Sequence, residues 1–200
     1  DPAQVVAAIE ARPESERSAT DWRTLAVHYA AQADHGRALT ATGRALAANP
    51  SLAGDPALGR LVRTAVDRPE HASAALGVAA RMGSQGADLL YDVWQQGQTD
   101  PALRKVVKLA ESHLDDSEVR AHASPALAVA LELRPGKTCN DYRKLMPDAL
   151  AHADERAVPQ LSRLAKKELC RVGRLGLKQV DCWACLRTND DLTLALEHAR

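Results

Sequence analysis

Four cysteines in the last third of the chain are the residues whose type and spacing could support chemistry: Cys139, Cys170, Cys182 and Cys185. Cys182 and Cys185 are separated by two residues, which is the spacing of a metal-binding knuckle or of a redox dithiol. Cys170 precedes them across a segment with turn-forming residues, so this segment is expected to fold back on itself. An even number of cysteines confined to one region indicates that they act together.

Three states of these cysteines compete. Two disulfides would staple the final helices to a loop with few apolar residues, and they would favour an oxidising, extracytoplasmic compartment. A zinc ion would need all four thiolates to converge, although zinc sites usually have two close pairs and this sequence has one. Unlinked thiols would be small core residues. The disulfides are favoured over zinc, and no other cofactor is expected. A redox dithiol is the weakest interpretation, because no strand-to-helix setting surrounds the pair.

Catalytic patterns are otherwise missing from the sequence, so the protein is predicted not to be an enzyme. The carboxylate pairs Asp115-Asp116 and Asp190-Asp191 stand at helix starts, where capping explains them. No glycine-rich phosphate loop or nucleophile elbow is found. Seven histidines are scattered without the spacing of a zinc hydrolase: His28, His35, His71, His113, His122, His152 and His198.

The pattern of the chain is helical throughout. Asp-Pro, a capping residue followed by a first-turn proline, occurs at residues 1, 55 and 100, and its spacing of 54 and 45 residues is typical of a repeat array. Apolar residues recur with helical period, and no comparable period-two alternation appears. Prolines 125 and 147 are each expected to kink a helix or displace its start. Helices are predicted at 2–12, 20–33, 36–49, 56–66, 69–82, 86–96, 101–114, 117–133, 140–153, 157–168 and 190–199.

One segment, residues 19–52, resembles a tetratricopeptide (TPR) repeat. Thr42 departs from the family's preference for a large apolar residue, so the second helix is expected to pack more loosely. The resemblance implies a helical hairpin with large side chains between its two helices. The consensus positions that carry it are Trp22, Leu25, Ala26, Tyr29, Ala38, Ala45 and Pro50.

Residues 114–123 and 153–161 look like the turns of HEAT repeats, in which an Asp and an Arg tie successive turns. Together the resemblances imply an all-α, right-handed α-solenoid in one domain. Residues 1–52 would be TPR-like, residues 55–168 HEAT-like, and residues 169–200 a cysteine-containing loop with a capping helix. The ending 176–187 is similar to cysteine-bearing tails of helical-repeat segments in bacterial signalling receptors.

Stacked repeats of this kind imply a concave surface that holds an extended partner. The function expected is therefore a protein- or peptide-binding module, accessory or sensory to a bacterial signalling or surface system. Arg23, His28 and Gln32 on the first helix of the TPR-like pair are candidate contacts. A zinc-organised regulatory domain is a further alternative.

Charge and hydropathy bear on two other partners. Twenty-six basic residues balance twenty-six acidic ones, so the chain has no global field that would attract nucleic acid. Residues 160–187 are locally basic, and because some HEAT-like stacks are DNA glycosylases, DNA binding or base excision is an alternative. Trp183 would then be a stacking group. No apolar run of eighteen residues occurs, so neither a membrane segment nor a signal peptide is predicted.

Overall fold

A computed structural model describes residues 2–172 and 178–200 and shows a mainly helical protein. The chain forms two compact units, Asp1–Ala123 and Ser124–Arg200. The boundary between them falls inside the segment 55–168. In the described residues of the first unit the helices are α1 (Pro2–Glu10), α2 (Ala19–Ala31), α3 (His35–Ala48), α4 (Pro56–Val66), α5 (Ala72–Ala79), α6 (Gly83–Gln96), α7 (Arg104–Leu114) and α8 (Ser117–Ala121).

Packing in the first unit follows chain order. Each helix from α2 to α6 packs against the next helix and against the next but one. Consecutive helices therefore pair, and alternate helices lie side by side. Helices α2, α4 and α6 form one row and α3, α5 and α7 form the other.

The helix starts form where the sequence predicts them. The side chain of Asp55 accepts hydrogen bonds from the amides of Ala57 and Leu58, and Pro56 is the first residue of α4. Asp100 caps a short 3-10 turn that leads into α7. The third Asp-Pro carboxylate, Asp1, lies outside the described residues.

The residues that resemble a TPR repeat form the interior of the α2–α3 hairpin. Trp22, Leu25, Ala26, Tyr29, Ala38 and Ala45 are all buried, whereas Pro50 is exposed and opens a 3-10 turn. Thr42 is fully buried, and its hydroxyl donates to the Ala38 carbonyl at 2.8 Å. A buried hydroxyl must find a partner, and here the preceding helical turn supplies one.

Arg17 connects helix α1 to this hairpin. The guanidinium of Arg17 donates to the carbonyls of Ile9, Glu10 and Arg12 at the end of α1, and it lies 4.9 Å from the centre of the Trp22 ring. Arg17 thus joins the C-terminus of α1 to the start of α2.

Helix α2 ends in a Schellman motif that has an unusual residue at its left-handed position. The amide of Asp34 donates to the carbonyl of Tyr29, and the amide of Ala33 donates to that of Ala30. Ala33 has φ of 59° and is the one non-glycine residue with positive φ in the described chain. Glycine is preferred at this position because a Cβ is strained there.

The close approach of α5 and α6 depends on Gly86, in the first turns of α6. A Cβ built on Gly86 would lie 1.8 Å from the backbone oxygen of Ala79. The two helices can therefore approach this closely only because residue 86 has no side chain.

In its described residues the second unit contains four α-helices and one antiparallel pair of strands. Its buried core includes Tyr142, Met146, Leu161, Leu164 and Leu192. Helix α10 packs against both α9 and α12, and α12 also packs against α11. The elements are α9 (Pro125–Glu132), α10 (Cys139–His152), α11 (Val158–Ala165), β1 (Leu169–Val172), β2 (Lys178–Asp181) and α12 (Asp191–His198).

Two sequence predictions are wrong in this region. The single helix predicted at 117–133 is two helices, α8 and α9, because Pro125 starts a new helix whose amide at Leu127 is capped by Ser124. Helix α10, in contrast, continues through Pro147. Residues 169–172 and 178–181, for which no strand was predicted, form an antiparallel pair in which Leu169 faces Asp181 and Val172 faces Lys178.

Candidate functional site

All four cysteines are joined in two disulfides. Cys139, the first residue of α10, bonds to Cys185 in a 3-10 turn, with their Cα atoms 6.0 Å apart. Cys170 on β1 bonds to Cys182 just after β2, with a Cα separation of 5.2 Å. Cys182 and Cys185 therefore take different partners instead of acting as one dithiol. This pairing fits an oxidising environment.

A zinc site of all four cysteines is not what the structure shows, because the sulfurs are already paired in separate disulfides. Across residues 2–172 and 178–200, no group of three or more His, Cys, Asp or Glu side chains could hold a metal ion. Spacing alone could not decide this, since the same four residues suit both kinds of link.

Trp183 directly follows Cys182 in the sequence, and contacts within the second unit hold its side chain. Its ring packs edge-on against Tyr142 at 5.5 Å, and its indole nitrogen donates to Glu168 at 2.9 Å. The guanidinium of Arg163 lies 5.1 Å from the Trp183 ring and donates to the Tyr142 hydroxyl at 3.2 Å. These contacts explain Trp183 as a packing residue of the stapled end.

The basic segment 160–187 is also partly used inside the unit. Arg187 binds Asp181 at 2.5 Å and donates to the carbonyls of residues 164–166, which are the end of α11. Lys166, Lys167 and Arg171 remain exposed. Residue 174 lies outside the described residues. Arg163, Arg187 and the aromatic ring that DNA binding would use are thus engaged in contacts within the fold.

The three candidate contacts on α2 do not share one surface. The guanidinium of Arg23 binds the carboxylate of Asp55. Around the helix axis, His28 lies about 140° and Gln32 about 180° from Arg23. His28 is half-buried beside Tyr29, and Gln32 is exposed at the end of α2. Arg23 is therefore separated from the other two.

The bond between Arg23 and Asp55 also changes the acidity of the carboxyl group. The Arg23 guanidinium, followed by the capping amides of Ala57 and Leu58, holds the pKa of Asp55 below its usual value against the opposing effect of burial. Asp55 therefore stays ionised while it caps α4.

The row of helices α2, α4 and α6 carries two grooves. The first, of about 270 Å³, lies between α2 and α4. Its walls are mostly small or apolar, and Val27 is 40% exposed there. The imidazole of His35 closes one side, and its Nδ1 is buried with no hydrogen-bond partner among the described residues. The lining residues are Val27, Ala30, His35, Ala57, Arg60, Leu61 and Thr64.

The second groove, of about 360 Å³, lies on the other side of α4, against α6. Arg63 at its edge is bound to Asp92 at 2.9 Å, and the amide of Gln85 donates to the Gly54 carbonyl at 3.1 Å. A Cβ on Gly59 would lie 3.0 Å from Gln85, so glycine allows α4 and α6 to approach here.

Arg60 lines both grooves. It is exposed, and its guanidinium has no ion-pair or hydrogen-bond partner in the part of the chain that the structure describes. Arg60 was not among the contacts predicted from the sequence. A signal was present, because the buried stripe of α4 (Leu58, Leu61, Val62 and Ala65) leaves residues 60 and 64 on another face, one turn apart.

Comparisons of the chain with protein-family profiles, with curated proteins and with solved structures found no match. Among the described residues, no helix has both the length and the apolar character that crossing a membrane would require.

Proposed function

We propose that this chain is a non-enzymatic interaction module in which the paired helices of the first unit form a short right-handed α-solenoid, TPR-like at its start and HEAT-like farther along. The packing of each helix against the next and the next but one supports this arrangement. The proposed ligand is an extended segment of another protein that crosses α2, α4 and α6.

The observation that carries the proposal is the position of Arg60. Its guanidinium, which has no partner among the described residues, lies on the middle helix of three, at the junction of two grooves. Surface arginines commonly pair with a neighbouring carboxylate, as Arg63 does with Asp92. Arg60 is therefore suited to bind an acidic group of the partner, while Val27 and Leu61 contact its apolar side chains.

The width of the surface sets the length of the partner segment. Neighbouring helices pack about 10 Å apart, so the three helices span about 20 Å. An extended chain covers about 3.4 Å per residue, and a segment of about six residues would cross the row.

An oxidising, extracytoplasmic setting belongs to the same proposal, and the two disulfides support it. The module would serve there as an accessory or sensory part of a bacterial signalling or surface system.

Selection from a phage library of random peptides tests the proposal. The library carries peptides of about 12 residues, twice the expected span, and the target is the oxidised chain. Acidic peptides should be enriched, and Arg60→Glu should weaken them about tenfold or more. Lys144→Glu, an exposed charge reversal on α10 of the second unit, is the matched control and should leave their binding unchanged. The proposal fails if no peptide is enriched, or if the enriched peptides bind Arg60→Glu as well as the unaltered chain.

A further inference from the structure

A third groove, with a volume of about 740 Å³, lies on the first unit between α5 and α7. It shares no lining residue with the two grooves beside α4. It therefore does not depend on the function proposed above. Its walls come from the ends of α4 and α6, the start of α5 and the first half of α7. The lining residues are Val66, Asp67, Pro69, Ala72, Ser73, Val93, Gln96, Ala102, Leu103, Lys105, Val106 and Leu109.

The floor of this groove is apolar and accessible. Val66, Val93, Val106 and Leu109 are half-buried, and Leu103 is 39% exposed. Aliphatic side chains from three helices thus converge on one depression that contacts solvent. Such concave apolar surface is typical of a binding site.

Charge is distributed unevenly around the floor. Lys105 lines the groove, and Lys108 lies one turn farther along α7 and about 60° from it around the helix axis. Both lysines are exposed with no ion-pair partner among the described residues, so they give the α7 side of the groove a charge of +2. On the facing wall stands Asp67, also unpaired within the described chain.

We infer that this groove binds an amphipathic helix of a partner protein, with its apolar stripe on the valine and leucine floor and acidic side chains along the flank that faces α7. In this groove the apolar floor and the charged edge are separate. A helical partner matches both, because a helix presents an apolar stripe and charged flanks at the same time. The positive charge on the α7 side of the groove favours acidic residues on the side of the bound helix that faces α7.

Synthetic peptides test the inference directly. Three helical peptides of about 16 residues carry leucines at i, i+3, i+4 and i+7, and they differ only in the residues beside this stripe: Glu, Gln or Lys. Binding to the oxidised chain is measured by fluorescence anisotropy. The Glu peptide should bind about tenfold more tightly than the Lys peptide, with Gln between them. This preference should weaken as salt is raised from about 0.05 to 0.5 M.

Three variants then locate the site. The double variant Lys105→Glu/Lys108→Glu should reverse the order of the peptides, and Leu103→Asp should weaken all three about tenfold by placing a charge over the floor. Asp67→Asn should strengthen the Glu peptide. Circular dichroism confirms that each exposed substitution leaves the helices folded.

Lys144→Glu is the matched control, since it reverses an exposed charge on α10 of the second unit and should leave all three affinities unchanged. The inference is overturned if none of the peptides binds, if the Glu and Lys peptides bind equally, or if the charge reversals on α7 have no effect. Failure here leaves the peptide selection at Arg60 unaffected, so the two proposals are judged separately.

Discussion

The guanidinium of Arg23 on α2 binds the same carboxylate of Asp55 that caps the first turn of α4. The carboxylate of Asp55 therefore both caps α4 and connects α4 to α2, its neighbour in the row. The carboxylate is well shielded, with 12% of its side chain exposed, whereas 41% of the Arg23 side chain is exposed. The strength of this connection depends on the ionisation of Asp55.

Arg23→Gln should lower the stability of the first unit at neutral pH by at most about 1 kcal/mol, because Arg23 is partly exposed and water screens the pair. Asp55 has a pKa that Arg23 lowers, so its contribution is present above the unfolded-state pKa and is lost as the pH falls through the folded-state value. The deficit of the variant should therefore be complete above about pH 4 and shrink below it. Urea unfolding between neutral and acidic pH measures this.

Arg63→Gln is the matched control for that experiment. It removes an exposed ion pair with Asp92 that caps no helix. Its effect should be smaller, at about 0.5 kcal/mol or less. Equal losses in the two variants, or a loss in Arg23→Gln that persists in acid, would contradict the role given to the bond.

Gly86→Ala should destabilise the first unit by about 3 kcal/mol or prevent its folding, since the added Cβ would overlap the Ala79 carbonyl. Gly77→Ala is the control in the neighbouring helix α5. A Cβ at Gly77 meets no atom within 4 Å, and the higher helix propensity of alanine should raise stability by about 0.5–1 kcal/mol. Thermal unfolding should show a lower melting temperature for Gly86→Ala and a higher one for Gly77→Ala. A shift of both in the same direction would refute the close approach of the α5 and α6 backbones.

Ala33→Gly should stabilise the first unit by about 1 kcal/mol, because glycine adopts the left-handed conformation of this helix end without a Cβ penalty. The same replacement at Ala47, exposed in α3, should instead cost about 1 kcal/mol. Chemical denaturation distinguishes the two signs. A loss of stability in Ala33→Gly would show that α2 does not end in the left-handed turn.

The two disulfides should contribute unequally to the stability of the second unit. Cys139 and Cys185 are 46 residues apart and Cys170 and Cys182 are 12 apart, so loop-closure entropy predicts about 4 and about 3 kcal/mol. Replacing each pair by serine and following hydrogen exchange in α10 measures the difference. The long-range pair should have the larger effect, and the reverse order would oppose the entropic account.

Local chemistry made the helices predictable from the sequence. Asp55-Pro56 and Asp100-Pro101 signal their own helix starts, since a capping carboxylate and a proline act over three residues. The large positions of the TPR-like segment were expected from its resemblance to the repeat consensus, and Trp22 and Tyr29 are buried in the structure. The twelve helices of the described residues agree with the prediction except where one predicted helix is divided in two.

Features that depend on tertiary contacts were not predictable in the same way. Arg23 resembles a free surface residue until α4 brings Asp55 to it. The β-hairpin has four residues in each strand, too few for a period-two pattern to emerge, and the disulfide between Cys170 and Cys182 adds a constraint that propensity does not contain. The pairing of the cysteines and the residues that border the grooves follow from the fold, not from spacing.

The inner disulfide, between Cys170 and Cys182, lies entirely within the stretch of chain that Cys139 and Cys185 enclose. A single backbone cut anywhere between residues 139 and 185 therefore separates two pieces that the outer bond still holds together. The end of the protein would remain one covalent molecule after such a cleavage, and it would run as one species on a gel until a reductant was added. Residues 139–185 can therefore be cleaved once without release of either fragment.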